Sequence, residues 1–292
     1  MKKILLAWFQ LSIILSLHAQ QQVIPLYNGP APGSENWDWQ EGKSLSDKPA
    51  PVKFPIAYNI TKPSLTLFSP DSLSASGTAI VICPGGALGV LNVETEGRLI
   101  AEKLAKKGIT VFLLKHRLIR SKTAEPWKEA LGRLGDTAKF RADGGAQVRL
   151  LAREDAVAAM QHVRQNAAKY NIDENKIGFI GFSSGAGLAL HVVTGDRKEA
   201  RPNFAAFIYG GRLTPNSLSE APPAFIVSAT DDALSAPANS INLYKAWIDN
   251  KRSAELHLYA KGGHGLWGEP ANTWIRRFEE WLMVQGFMAG KK

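Results

Sequence analysis

Gly181-Phe182-Ser183-Ser184-Gly185 fits the pattern G-x-S-x-G. It follows an apolar run, Lys176–Phe182, and opens a small-residue stretch, Ala186-Gly187-Leu188-Ala189-Leu190. Strand, sharp turn and helix in that order lift a serine hydroxyl clear of a sheet, and the glycines permit so tight a turn. A serine hydroxyl is a weak nucleophile until a base takes its proton. The chemistry indicated is acyl transfer through a covalent acyl-serine, so a base, an acid and oxyanion donors must lie elsewhere in the chain.

Six histidines could supply the base. His18 sits in an N-terminal leader, His162 and His191 in helical stretches, and His257 in a strand, where packing or surface roles are expected. His116 follows a strand and stays an alternative. His264 is favoured, because Gly262-Gly263-His264-Gly265 follows the last strand and can swing an imidazole to Ser183. The third member should be a carboxylate that fixes the imidazole tautomer. The run Ala224–Ala229 ends in Thr230-Asp231-Asp232, and two adjacent carboxylates cannot both address one ring. Asp232 is the expected partner and Asp231 the alternative, otherwise a hydration partner or helix cap. For the developing oxyanion, Pro84-Gly85-Gly86-Ala87 follows the strand Thr78–Cys83, and its glycines let the main chain approach a substrate and turn N–H groups inward. Gly86 and the Ser184 amide are the expected donors, with Ala87 as a further candidate.

These residues need a scaffold. From residue 64 onward, short apolar runs (Thr78–Cys83, Thr110–Leu114, Lys176–Phe182, Phe204–Tyr209, Ala224–Ala229, Glu255–Tyr259) alternate with amphipathic stretches. The stretches are Glu94–Lys107, Leu150–Tyr170, Ala238–Lys251 and Thr273–Gln285. Alternating strands and helices predict an α/β fold, a mostly parallel central sheet covered by helices on both faces. Residues 20–63, rich in Pro, Gly, Asn and Ser, are expected to form an irregular arm packed on one domain spanning 64–292. Residues 120–147 form a long insertion, and loops of that length act as lids or binding loops, or are disordered. Its short helical piece, Pro126–Leu134, makes a small cap the expectation.

With these motifs the chain resembles the α/β-hydrolase superfamily, within the exported carbohydrate-esterase group of acetyl xylan and feruloyl esterases. The order Ser183, Asp232, His264 is the order of that superfamily. Further anchors are Ile24-Pro25-Leu26-Tyr27-Asn28-Gly29-Pro30-Ala31-Pro32-Gly33, Gly178-Phe179-Ile180 before the nucleophile, and Arg201-Pro202-Asn203-Phe204 leading into a strand. Two positions depart from the group: Ser184-Gly185-Ala186 replaces a small residue followed by two glycines, and Ala87-Leu88 stands where an aromatic is common. The resemblance implies hydrolysis of ester, foremost acetyl, substituents on plant cell-wall polysaccharide such as xylan. General carboxylesterase or small-peptide hydrolase activity is the alternative, and a non-catalytic polysaccharide-binding relative a third reading. Aromatic faces pack on sugar rings, so Trp267, three residues past His264, is the leading platform, followed by Trp127, Trp37 and Trp39.

Composition narrows the remaining classes. A chain of 292 residues that is 45% hydrophobic, with 12 Phe, 8 Trp and 6 Tyr, is globular rather than disordered. Met1 to Ala19 has a basic start, an apolar run and a small residue before a polar stretch, the pattern of a signal peptide. Export to the periplasm or beyond is expected, with no membrane anchor after cleavage. Removal of Lys2 and Lys3 takes the net charge from +9 to +7. Residues 115–153 hold ten Lys or Arg against four acids, a local excess open to two readings: a solvated lid face, or a surface attracting acidic glycans. Without a nucleic-acid-binding motif, it does not indicate a nucleic-acid partner. Cys83 is the sole cysteine and ends an apolar strand, so a buried structural thiol is expected. No metal-ligand spacing, glycine-rich dinucleotide fingerprint or phosphate loop is present, and no cofactor is expected.

Overall fold

The computed structural model of the protein describes residues 21–46, 53–213 and 218–289. The leader read in residues 1–19 lies outside these residues. In chain order the strands are β1 (Val23–Pro25), β2 (Gly42–Leu45), β3 (Pro55–Tyr58), β4 (Ser64–Phe68), β5 (Ala79–Cys83), β6 (Val90–Leu91), β7 (Thr110–Lys115), β8 (Ile177–Phe182), β9 (Phe204–Ile208), β10 (Ala224–Ala229) and β11 (Ala254–Tyr259). The helices are α1 (Leu99–Ala105), α2 (Pro126–Leu131), α3 (Thr137–Ala142), α4 (Gly145–Gln165), α5 (Ser184–Thr194), α6 (Pro237–Asp249) and α7 (Pro270–Val284).

Among the described residues, eight strands form one sheet in the order β1-β4-β7-β5-β8-β9-β10-β11. The pairings β1–β4 and β4–β7 are antiparallel, and those from β7 to β11 are parallel. Every residue of β5, β8, β9 and β10 is buried. Strands covered on both faces read as unbroken apolar runs, which is why they stand out in the sequence. Alternation along β5 sends Val81 and Cys83 to one side and Ile80 and Ile82 to the other. On the first side Met160, Leu190 and Trp247 from α4, α5 and α6 complete the core; on the second, Ile100, Phe278 and Trp281 from α1 and α7 do so. The chain leaves β5 for β7 and returns on the other flank as β8. The carboxyl ends of β5 and β8 thus meet at a topological switch point, where open α/β sheets bind ligands.

Several elements differ from the sequence expectation. Among the described residues of 20–63, three short strands interrupt the irregular chain: β1 pairs with β4 on the large sheet, while β2 and β3 form a second, three-stranded sheet with β6. The arm is tied down by a buried ion pair between Arg117, after β7, and Asp155 of α4, 2.7 Å apart. Tyr27 Oη donates to Asp155 Oδ1 (2.9 Å), and Arg117 Nη1 donates to Ser34 Oγ (3.1 Å). Helix α4 begins at Gly145 rather than Leu150, opened by Gly144 at φ +80°. It stops at Asn166, whose side chain donates to the His162 carbonyl (2.8 Å). The insertion 120–147 carries the expected helical piece, as α2, and a second helix, α3. They lie around the buried Arg133, which donates to Asp143 Oδ2 (2.8 Å) and Glu129 Oε2 (3.1 Å). Several cations of 115–153 are paired in the same way: Lys115 with Glu41 (2.7 Å), Lys128 with Glu125 (2.9 Å) and Arg117 with Asp155.

Candidate active site

Ser183 follows β8 with φ +50° and ψ −117°, a strained conformation for a residue bearing a side chain. Its surroundings explain the glycines. A side chain at Gly181 would run into the Gly185 carbonyl and Ala186, and one at Gly185 into the Cys83 carbonyl of the neighbouring strand. The turn is held by the Ser183 amide, which donates to Ile208 O (2.9 Å).

The loop after β11 brings His264 to this serine: Nε2 lies 2.8 Å from Ser183 Oγ and Nδ1 lies 2.8 Å from Asp232 Oδ2. With Asp232 ionised, Nδ1–H donates to the carboxylate and Nε2 accepts the serine proton. The second oxygen of the buried Asp232 accepts the Leu234 (2.8 Å) and Ser235 (2.9 Å) amides. Asp231 does not reach the imidazole. It grips the loop that carries it, accepting the Gly263 amide at 2.7 Å and the Gly262 amide at 3.4 Å. Those N–H groups hold its carboxyl below the usual carboxylate range. The role of hydration partner or helix cap is corrected: Asp231 is a loop clamp.

The loop after β5 takes left-handed backbone at Gly86 (φ +136°), Ala87 (+55°) and Leu88 (+58°). The Gly86 carbonyl accepts the Gly89 (3.0 Å) and Val90 (3.1 Å) amides, and the Gly85 carbonyl that of Asn92 (3.0 Å). The carbonyls are thus engaged within the loop, while Gly86 and Ala87 line the chamber that also holds Ser183, Ser184 and His264. Ser184 is the first residue of α5, so its amide has no acceptor within the helix. Gly86, Ala87 and Ser184, the three donors read from sequence, therefore surround one small volume beside Ser183.

Two clefts meet at His264. One, of about 290 Å³, is walled by Ala130, Leu131 and Leu134 of the 120–147 insertion and by Leu234. The other, of about 550 Å³, is lined by Phe54, Trp127, Trp267 and Trp274. Trp127 borders both. Trp267 Nε1 donates to the His264 carbonyl (3.1 Å) and its ring packs on Phe54 at 6.3 Å. Trp37 and Trp39 line neither cleft; they stack on each other at 4.5 Å, with Arg120 over Trp39. His116 is fully buried, and its Nδ1 is bonded to the Arg117 carbonyl (2.9 Å). Cys83 is buried, and burial pushes its thiol pKa up.

Two residues of the site have no place in the sequence reading. Glu96 lies in Glu94–Arg98, a stretch wound as a single π-type turn before α1. It is 8% exposed and accepts the Gly85 amide through Oε2 at 2.6 Å. Tyr209, at φ +38° just past β9, faces Glu96 and sets its ring edge-on to the His264 ring at 4.9 Å. Both line the two clefts. Among the described residues, no group of three His, Cys, Asp or Glu could hold a metal ion.

The sheet order and the sharp turn after β8 define the fold: the protein has an α/β-hydrolase fold. The BD-FAE family model matches residues 140–209, from the end of the insertion through Ser183 to Tyr209. An acetylxylan esterase of Xylanibacter ruminicola is 26% identical over 77% of this chain and 47% of its own length. The chain therefore spans about half the length of that relative. Among solved structures, an acetyl ester-xyloside bifunctional hydrolase from Caldicellulosiruptor lactoaceticus matches with TM-score 0.66 and 22% identity, over 94% of this chain and 100% of that one. The carboxylesterase Cest-2923 from Lactobacillus plantarum matches with TM-score 0.60 and 18% identity, over 87% and 100%.

Proposed function

We propose that this protein is a serine esterase that removes acyl groups, foremost acetyl, from xylan-type polysaccharide outside the cytoplasm. The observation that carries this reading is the hydrogen-bonded chain from Asp232 through His264 to Ser183, opening on a cleft bordered by main-chain donors. Ser183 attacks the ester carbonyl carbon as His264 Nε2 takes its proton. The oxyanion rests on the amides of Gly86 and Ser184, with Ala87 as an additional donor. His264 then returns the proton to the departing sugar oxygen, and water activated by the same imidazole releases the acid from the acyl-serine. Asp232 stabilises the imidazolium in both halves.

The likeness to an acetylxylan esterase and an aromatic cleft suited to sugar rings, with Trp267 and Trp127 as platforms, support the carbohydrate substrate. The separate cleft under the insertion exposes alanine and leucine side chains, a surface that also suits acyl groups longer than acetyl. That observation favours a second reading, a general carboxylesterase. Where a glycan carries a uronate, Arg149 on the insertion side and Arg212 in the smaller cleft are the cations that would meet it.

The test is acetate release from acetylated xylo-oligosaccharides, compared with butyryl and longer aryl esters and with aminoacyl amides. Acetate release above simple-ester turnover supports the carbohydrate reading, and exclusive cleavage of longer simple esters supports the second. Ser183→Ala should lower ester turnover on the order of 10⁶-fold. Near-normal hydrolysis by that variant overturns the mechanism.

A further inference from the structure

The cleft contains one buried acid that the serine mechanism does not use. Glu96 comes from the π-type turn before α1, reaches the loop after β5, and faces the end of β9. A π-type turn widens the helix and re-aims one side chain, a distortion frequent at functional sites. Here the flanking Glu94 is paired with Arg98 along the surface, while Glu96 is turned inward and buried. Its neighbours come from four directions: the Gly85 N–H beneath the oxyanion loop, Tyr209 Oη, the Asn92 side chain, and His264 across the cleft. Tyr209 in turn faces Asp232 as well as Glu96, and its ring packs edge-on to the His264 imidazole.

We propose that Glu96 is a positioning residue that couples the oxyanion loop to the catalytic base: one carboxylate fixes the Gly85 main chain and, through Tyr209, the seat of the His264 ring. Loop and base come from opposite flanks of β8 and share no direct bond given by the structure. Their relative placement decides whether the Gly86 amide and Nε2 can serve one carbonyl at once. The coupling also has an electrostatic side. As Ser183 attacks, His264 becomes an imidazolium, and an ionised Glu96 facing it lowers the energy of that charge. Burial holds the Glu96 carboxyl above the usual range, an effect that the Gly85 N–H, His264, Tyr209 and Asn92 only partly offset. This inference rests on the serine-esterase reading for its catalytic consequence, though the coupling between Glu96 and His264 can be measured without turnover.

The experiment compares wild type, Glu96→Gln and Tyr209→Phe by kcat and KM on an aryl acetate across pH, and by NMR titration of the His264 ring. Removing a negative charge that faces the imidazole makes the imidazolium less favourable. In Glu96→Gln the His264 titration and the acid limb of kcat/KM should therefore both move to lower pH, by about half a unit or more. Its kcat should fall at least about tenfold with KM little changed, because misplaced reacting groups cost rate rather than affinity. Tyr209→Phe keeps the ring on His264 and loses only the hydroxyl, so kcat should fall a few-fold. An unshifted His264 titration together with kcat within twofold of wild type in both variants overturns the proposal. If Glu96→Gln does not fold, Tyr209→Phe decides by the same two readings. Should wild type hydrolyse no ester while His264 still shifts in Glu96→Gln, the esterase reading fails and the coupling stands.

Discussion

Asp231 and Asp232, adjacent in the chain, grip adjacent residues of one loop: Asp231 Oδ1 accepts the Gly263 N–H at 2.7 Å, and Asp232 Oδ2 lies 2.8 Å from His264 Nδ1. The first carboxylate sets where the loop runs, the second how its imidazole is turned. Asp232→Asn should therefore cost on the order of 10⁴ in kcat, the loss expected when a triad acid no longer fixes the tautomer. Asp231→Asn leaves the tautomer alone and loosens the loop, so its loss should be about ten- to a hundredfold. Steady-state kinetics of the two single variants on an aryl acetate separate the roles. Equal losses would show that the division between them is wrong.

The clamp also has a pH dependence of known sign. The folded-state pKa of Asp231 is depressed by the Gly263 and Gly262 amides. Its stabilisation of the loop is thus complete above the ordinary aspartate value of about 3.9 and fades only as pH falls through the lower folded value. Hydrogen exchange at the Gly263 amide should accordingly stay slow from neutrality down to that ordinary value. Loss of protection already at pH 5 would show that this bond does not hold the loop.

How much of this was legible in the sequence follows the physics of each element. β5, β8, β9 and β10 are buried on both faces, so an unbroken apolar run marks their ends to within about a residue. β2 is Gly42-Lys43-Ser44-Leu45 at the edge of a small sheet, where no run of apolar residues betrays it. Ser183, His264 and the glycine turns are local features that carry their own geometry. Glu96 is different: Glu94, Arg98 and Glu102 around it form a half-buried i, i+4 charge ladder. Glu96, two residues from Glu94 and from Arg98, falls on the opposite face, and its partner there, the Gly85 amide, comes from a distant segment. Tyr209 ends an apolar run and reads as core; its place facing Glu96 requires two distant segments to meet. The charge excess at 115–153 is smaller than its count for a related reason, since Glu41 and Asp155, outside the segment, pair with Lys115 and Arg117.

The nucleophile turn should show its strain in stability. Glycine in place of alanine ordinarily destabilises, because the unfolded chain gains freedom. At position 183 the backbone sits at φ +50°, where any side chain costs about 1–3 kcal/mol. Ser183→Gly should melt at or above Ser183→Ala. Differential scanning calorimetry on the two variants tests this, and a clearly lower melting temperature for the glycine variant would show that the turn is relaxed.

The N-terminal arm depends on one buried cation. Arg117 and Asp155 are both 0% exposed. Asp155 accepts from the Arg117 amide, Nε and Nη2, and from Tyr27 Oη of the arm. Arg117 in turn reaches Pro32 O and Ser34 Oγ of the arm and Leu151 O of α4. Removing one partner of such a pair leaves the other charge buried and uncompensated, a loss of about 3–5 kcal/mol. Asp155→Ala should lower unfolding stability by that amount in urea titration and expose the segment around Tyr27–Ser34 to limited proteolysis before the rest of the domain. Tyr27→Phe removes one bond to Asp155 but leaves the ion pair whole, so it should cost only about 1 kcal/mol and leave ester turnover unchanged. If Tyr27→Phe proves as damaging as Asp155→Ala, the arm is held by the tyrosine rather than by the ion pair beneath it.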